Sequence, residues 1–157
     1  YHAFFTHTKG FAMPPLPANI AAFFAANHVV SIAAAHAGEV WSACCFYVFD
    51  ADAARLIVLT SQNTRHGAMM AASPRIAATI AGQPEGFTQI SGIQLAARAR
   101  ILAGEERKAA LAQYTAAHPM AKAMALKTDV WALDLDSVKY TDNKLVFAQK
   151  TRWQRED

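Results

Sequence analysis

The chain has 157 residues, 54% hydrophobic and 17% charged, with 15 lysines and arginines against 12 aspartates and glutamates. That length fits one domain, and the apolar content excludes a disordered chain. A formal charge of only +3 argues against a nucleic-acid-packaging protein, and no nucleic-acid partner is expected. No run of 18 apolar residues occurs, so no membrane span is expected.

Tyr1 to Ala12 has no pattern and reads as an extension. Ala18 to Ala26 then places Ile20, Phe23 and Phe24 at helical spacing behind Pro17, which suits a first helical turn. Val29, Val30 and Ile32 begin a strand. His36-Ala37-Gly38-Glu39 turns it into Val40 to Phe49, giving a hairpin. Ala35-His36-Ala37 also has the small-x-small form of a signal-peptidase site. Asn19, Asn27, His28 and Ser31 interrupt the apolar stretch before it, and a cytoplasmic protein is expected. Asp50-Ala51-Asp52 is the next turn, and Arg55 to Thr60 a third strand with a near-continuous apolar centre. Short turns between these strands favour an antiparallel meander.

Thr64 is placed to cap a helix reaching Ala72, closed by Ser73-Pro74. Arg75 to Ala81 is a fourth strand, ended by the turn Gly82 to Gly86. Phe87 to Leu102 reads as one long extended segment, with Gly92 marking a bulge or a close approach. Glu105 to His118 is a helix, and Pro119 to Lys127 a further helical stretch. Val130 to Tyr140 alternates as a strand, Thr141 to Lys144 turns, and Leu145 to Ala148 supplies a last short strand. Lys150, Arg152 and Arg155, followed at once by Glu156 and Asp157, read as a solvated tail. Six or more strands with short turns suggest a small barrel, which removes exposed sheet edges.

Cys44 and Cys45 are adjacent. Neighbouring strand residues point to opposite faces, so a disulfide between them is geometrically poor and a reducing compartment is the simpler reading. Both thiols lie in the apolar run Trp41 to Phe49 and read as small hydrophobes. There is no Gly-x-Ser-x-Gly elbow, no P-loop and no Gly-x-Gly-x-x-Gly. The six histidines are scattered without metal-ligand spacing, and no metal site is expected. The most informative stretch is Leu59-Thr60-Ser61-Gln62-Asn63-Thr64-Arg65-His66, with hydroxyls at a strand end and a basic pair at a helix start. Free N–H groups and a partial positive charge favour phosphate there, and an arginine adds a bidentate fork. An ordinary capped helix with two solvent-facing basic residues reads equally well.

This stretch and the order of elements resemble the FMN-binding split barrel of the pyridoxamine 5′-phosphate oxidase superfamily, and more closely its YhbP-like group. The resemblance rests on Asn27-His28-Val29-Val30, Phe46 to Ala51, Leu59-Thr60 with Thr64-Arg65-His66, Gly82-Gln83-Pro84, Gly92-Ile93-Gln94 and Thr141-Asp142-Asn143. It implies a mainly β fold, a six-stranded antiparallel split β-barrel of Greek-key type with peripheral helices. Residues 16–157 would form the FMN-binding domain and residues 1–15 an N-terminal extension, with Met13 where such a protein begins. It implies FMN as cofactor, a homodimer, and an oxidoreductase acting on a small molecule that the sequence does not name. Arg65 matches the basic position that grips the FMN phosphate, while His66 stands where lysine is usual. Thr60, with Ser61 and Thr64 beside it, matches hydroxyls near the flavin. Ala43, Cys44 and Cys45 fall where a strand lies along the ring, and Gln94 borders the site. The oxidase's arginine near Cys44 is absent, so true pyridoxamine 5′-phosphate oxidation is not expected. C-terminal residues of such proteins approach the partner's cofactor, which makes Lys150 and Trp153 candidates beside their plainer reading as a surface cation and a packed aromatic. The alternative is a non-catalytic binding protein on the same barrel, with haem held by His28 or His66.

Overall fold

The computed structural model describes residues 13–144 and 149–156. Helix α1 (Ala18–Ala26) leads into β1 (Val29–His36), β2 (Glu39–Asp50) and β3 (Arg55–Thr60). Helix α2 (Arg65–Ala72) precedes β4 (Arg75–Ala81) and β5 (Ser91–Ile101). Then come α3 (Gly104–Ala117), the short α4 (Lys122–Ala125), β6 (Asp129–Asp142) and β7 (Gln149–Gln154). The sheet order is β3-β2-β1-β4-β5-β6-β7, every pairing is antiparallel, and β3 also pairs with β6. That last pairing closes six strands into a barrel, with β7 added outside β6. After three hairpin-connected strands the chain passes through α2 to β4 on the far side of β1, which is Greek-key topology. The expected fold class holds.

Alternation explains the barrel interior. Val30, Ile32 and Ala34 of β1, Ile76, Ala78 and Ile80 of β4, and Ile93, Leu95 and Ala97 of β5 all point inward and are buried. On β3 the inward Leu56 and Val58 join this core. Ile57 packs on the opposite face with Leu102, Ala110, Tyr114, Val130 and Ala132, under α3. A strand covered on both faces shows no polar alternation, which is why Arg55 to Thr60 reads as continuous.

Several expectations need correction. Of the residues expected to trail as a solvated tail, Lys150 and Arg152 lie in β7, beside Trp153, which pairs with Val138 and is only 6% exposed as a packed aromatic. Its indole donates to the Pro14 carbonyl at 3.0 Å. Arg155 donates to the carbonyls of Leu135, Ala53 and Ala54, and so clasps the chain's end to the β2–β3 turn. The strand expected at Leu145 to Ala148 lies outside the described residues, as does the extension Tyr1 to Ala12. Met13, within the segment assigned to the extension, packs against the core. Phe87–Gln89 is a turn of 3₁₀ helix, so the extended segment begins only at Ser91. Gly92 marks a close approach, since a Cβ there would stand 3.0 Å from the Ile80 carbonyl. The bulge falls instead between Ala96 and Ala97. Ala35-His36-Ala37 forms the β1–β2 hairpin end, with Ala37 and Gly38 both at positive φ. No helix among the described residues is long and apolar enough to cross a membrane.

Candidate functional site

The strand-to-helix turn after β3 is tightly determined. The Thr64 hydroxyl accepts from the Gly67 N–H at 3.0 Å, capping α2, and donates to the Ser61 carbonyl at 2.7 Å. A Cβ at Gly67 would run into that same carbonyl, so only glycine lets the helix start fold back on the turn. The Trp131 indole donates to the Thr60 carbonyl, and the Asp129 carboxylate accepts from the Gln62 N–H. This geometry sets His66 Nε2 2.7 Å from the Thr60 hydroxyl.

A cleft of about 630 Å³ opens beside this turn, walled by Cys44, Cys45 and Phe46 of β2 and by Leu59, Thr60 and His66. Tyr114 and His118 from the end of α3, with Met120 and Met124, form the opposite wall. Its size is ordinary for a site that buries a small organic ligand. Burial pushes the His66 imidazole below its ordinary range, and raises the thiol of Cys45 and the phenol of Tyr114. His118 Nε2 lies 3.1 Å from the Tyr47 carbonyl, which can only accept; the ring proton therefore sits on Nε2, and in the neutral ring Nδ1 is an acceptor. Phe46 stacks on His28 at 5.7 Å and meets His118 edge-on, while Tyr114 packs on His118 at 5.0 Å.

Of the residues singled out in the sequence, Cys44, Cys45, Thr60 and His66 come together on this cleft. Ser61 and Thr64 build its supporting turn, and Ala43 sits one residue along β2, opposite Ile32. Cys44 is exposed, its sulfur 3.3 Å from the Ser31 hydroxyl, so it is not the packed hydrophobe its apolar run suggests. Arg65 stands beside the cleft with its guanidinium 4.2 Å over the Trp41 ring and 3.5 Å from the Glu39 carboxylate. Gln94 lies three strands away from Cys44, on β5, in a groove of about 510 Å³ shared with Lys139, Arg152 and Trp153. Lys150 is exposed on β7 opposite Thr141. His28 contacts Phe46 but does not line the cleft. No group of three or more metal-ligating side chains occurs among the described residues.

Sequence reasoning missed the α3 wall. Its one signal is the spacing of Tyr114 and His118, four residues apart and hence on one helix face just before Pro119.

A closed Greek-key barrel with a cleft where β2, β3 and α2 meet defines the class. The family model described as pyridoxamine 5′-phosphate oxidase matches residues 16–142, and the chain belongs to that family. Within it the chain falls in the UPF0306 (YhbP) group. It is 43% identical over 145 residues to a UPF0306 protein of Haemophilus ducreyi, covering 91% of this chain and 98% of that one. It is 39% identical over 137 residues to the UPF0306 protein YhbP of Salmonella arizonae, covering 87% and 92%. Among solved structures, a haem-binding protein from Mycobacterium smegmatis superposes with a TM-score of 0.68 at 20% identity, over 82% of this chain and about half (53%) of that chain. A FAD-binding protein from Mesorhizobium loti superposes with a TM-score of 0.63 at 15% identity, over 81% and 93%. At such identities these likenesses show a shared fold.

Proposed function

We propose that the cleft binds FMN and that the protein is a homodimeric flavin-dependent oxidoreductase acting on a small molecule. The observation that carries this reading is the joining of an uncharged, aromatic-walled slot to the start of α2, where Arg65 adds a cation. A flat heteroaromatic ring suits the slot, and a phosphate suits the helix start. The membership in this family and a fold neighbour that binds FAD support the choice of flavin. The backbone of Cys44–Phe46 and Thr60 would seat the ring, with His66 between the ring and the phosphate. Arg65, on leaving Glu39, would hold the phosphate. Bound flavin supplies hydride or electron transfer, while the protein positions the ring and tunes it.

The dimer is supported by the outer face of the sheet. There Ser42, Ala33, Ala77 and Ala96 share one register row, and Cys44, Ser31, Thr79 and Gln94 the next. Small uncharged side chains of this kind allow close approach of a second subunit.

The test is an absorbance spectrum of the purified protein followed by titration with FMN. Flavin bands or saturable binding are expected, with affinity reduced about tenfold or more in Arg65→Ala, the scale of a charge-assisted hydrogen bond. A colourless protein that never saturates with FMN overturns the reading. Haem is the second reading, favoured by His66 and His118 facing one cleft and by the haem-binding fold neighbour. It predicts a saturable shift of hemin's Soret band that His66→Ala or His118→Ala abolishes.

A further inference from the structure

We infer that the α3–α4 side of the cleft takes a neutral, planar, largely apolar molecule as the protein's second ligand and rejects anions. This rests on the reading of the cleft as a flavin site, with the flavin phosphate at the α2 end.

Among the described residues lining the cleft there is no aspartate, glutamate, lysine or arginine. The cations near this end serve other surfaces: Arg107, Lys108 and Lys122 line a separate groove between α3 and α4. An anion entering the cleft would lose its hydration with no opposite charge to replace it, a cost that a neutral ring does not bear. The polar groups point the same way. Tyr114 directs its hydroxyl to the Phe46 carbonyl, and His118 spends its N–H on the Tyr47 carbonyl. In the neutral ring this leaves His118 only the Nδ1 lone pair toward a ligand, which repels an anion and welcomes a neutral hydrogen-bond donor.

The rim is apolar where a solvated rim would be polar. Met120 is 92% exposed and Met124 66%, and both line the cleft. Unbranched thioethers adapt to a ligand's outline and make favourable sulfur–ring contacts. With Phe46, itself more than half exposed, they form two sides of a slot suited to an aromatic ring. A phosphorylated substrate has no counterpart on this wall.

The experiment compares two molecules with one bicyclic ring, 2-naphthol and 2-naphthalenesulfonate, titrated calorimetrically into FMN-saturated protein at about pH 7, where the phenol is un-ionised. The neutral ring is expected to bind about tenfold tighter or more. Met124→Lys and Met120→Lys, both at exposed positions that leave the core untouched, are expected to narrow that ratio by bringing a cation to the rim. Equal or tighter binding of the sulfonate, no binding of either ring, or a ratio unmoved in both lysine variants overturns the inference. The same titrations on FMN-free protein separate the two readings. If FMN fails to bind but the preference for the neutral ring persists, the flavin reading falls and this one stands. If FMN binds and no preference appears, this one alone falls.

Discussion

His66 is held between two hydroxyls and kept neutral by burial, so its protonation is linked to what occupies the cleft. Because its folded-state pKa lies below the unfolded value of about 6.5, acid favours the unfolded chain as pH falls through that range. An anion bound beside it reverses the preference by favouring the imidazolium. FMN affinity of the native protein should therefore rise on going from about pH 7.5 to about 5.5, relative to His66→Gln, which removes the titration. Fluorescence titrations across that range check it; parallel pH profiles for the two proteins would exclude His66 as a phosphate contact. Arg65 carries a second prediction. Its partner Glu39 is 71% exposed and 3.5 Å away, a weak pair, so Glu39→Gln should free the guanidinium and tighten FMN binding a few-fold while leaving riboflavin, which lacks the phosphate, unchanged.

At the level of elements, the turn after β3 owes its shape to Thr64 and Gly67. Thr64→Ala removes the α2 cap and should cost about 1 kcal/mol in a denaturant melt. Gly67→Ala forces a methyl group against the Ser61 carbonyl and should cost more. At the other end of α3, Arg55 of β3 bridges Asp50 and Glu106, and Arg100 bridges Glu106 and Asp134, tying the start of α3 to β2, β3, β5 and β6. Hydrogen bonds from Arg100, above all, hold the Glu106 carboxyl down at about 2. This carboxylate's contribution is present above its unfolded value of about 4.5 and is lost as pH falls through the folded one, so Glu106→Gln should flatten the acid limb of the stability curve. The pair is solvent-exposed, and the effect will be screened by salt.

Element by element, legibility followed burial. β1, β4 and β5 alternate because one face is buried, and β3 runs continuous because both are; each is readable from apolar spacing alone. β7 is Gln-Lys-Thr-Arg-Trp-Gln, in which only Trp153 is buried, so no period marks it. Its strand state comes from hydrogen bonds to β6 and from the Trp153 and Arg155 contacts, which are long-range.

For the whole molecule, the uncharged outer rows of β1, β2, β4 and β5 predict a dimer that one charge disrupts. Ala77 faces outward between Ala33 and Ala96, so Ala77→Arg should leave the barrel folded and shift the mass measured by light scattering from dimer to monomer. A wild-type monomer at micromolar concentration would remove this face as the interface.

The sequence by itself determined a small barrel of short-turned strands, the capped helix after Thr60 and a basic pair at that helix's start. These depend on local spacing, on caps and on the alternation of buried faces, all of which are properties of neighbouring residues. Only the tertiary structure decided that His66 points into an apolar cleft while Arg65 turns to Trp41 and Glu39. It also decided that Tyr114, His118 and two methionines complete the wall. Those residues are 48 or more positions from His66 in the chain. They meet it because β3 pairs with β6 and α3 packs over that seam; local sequence shows that a face is buried but not which distant element covers it.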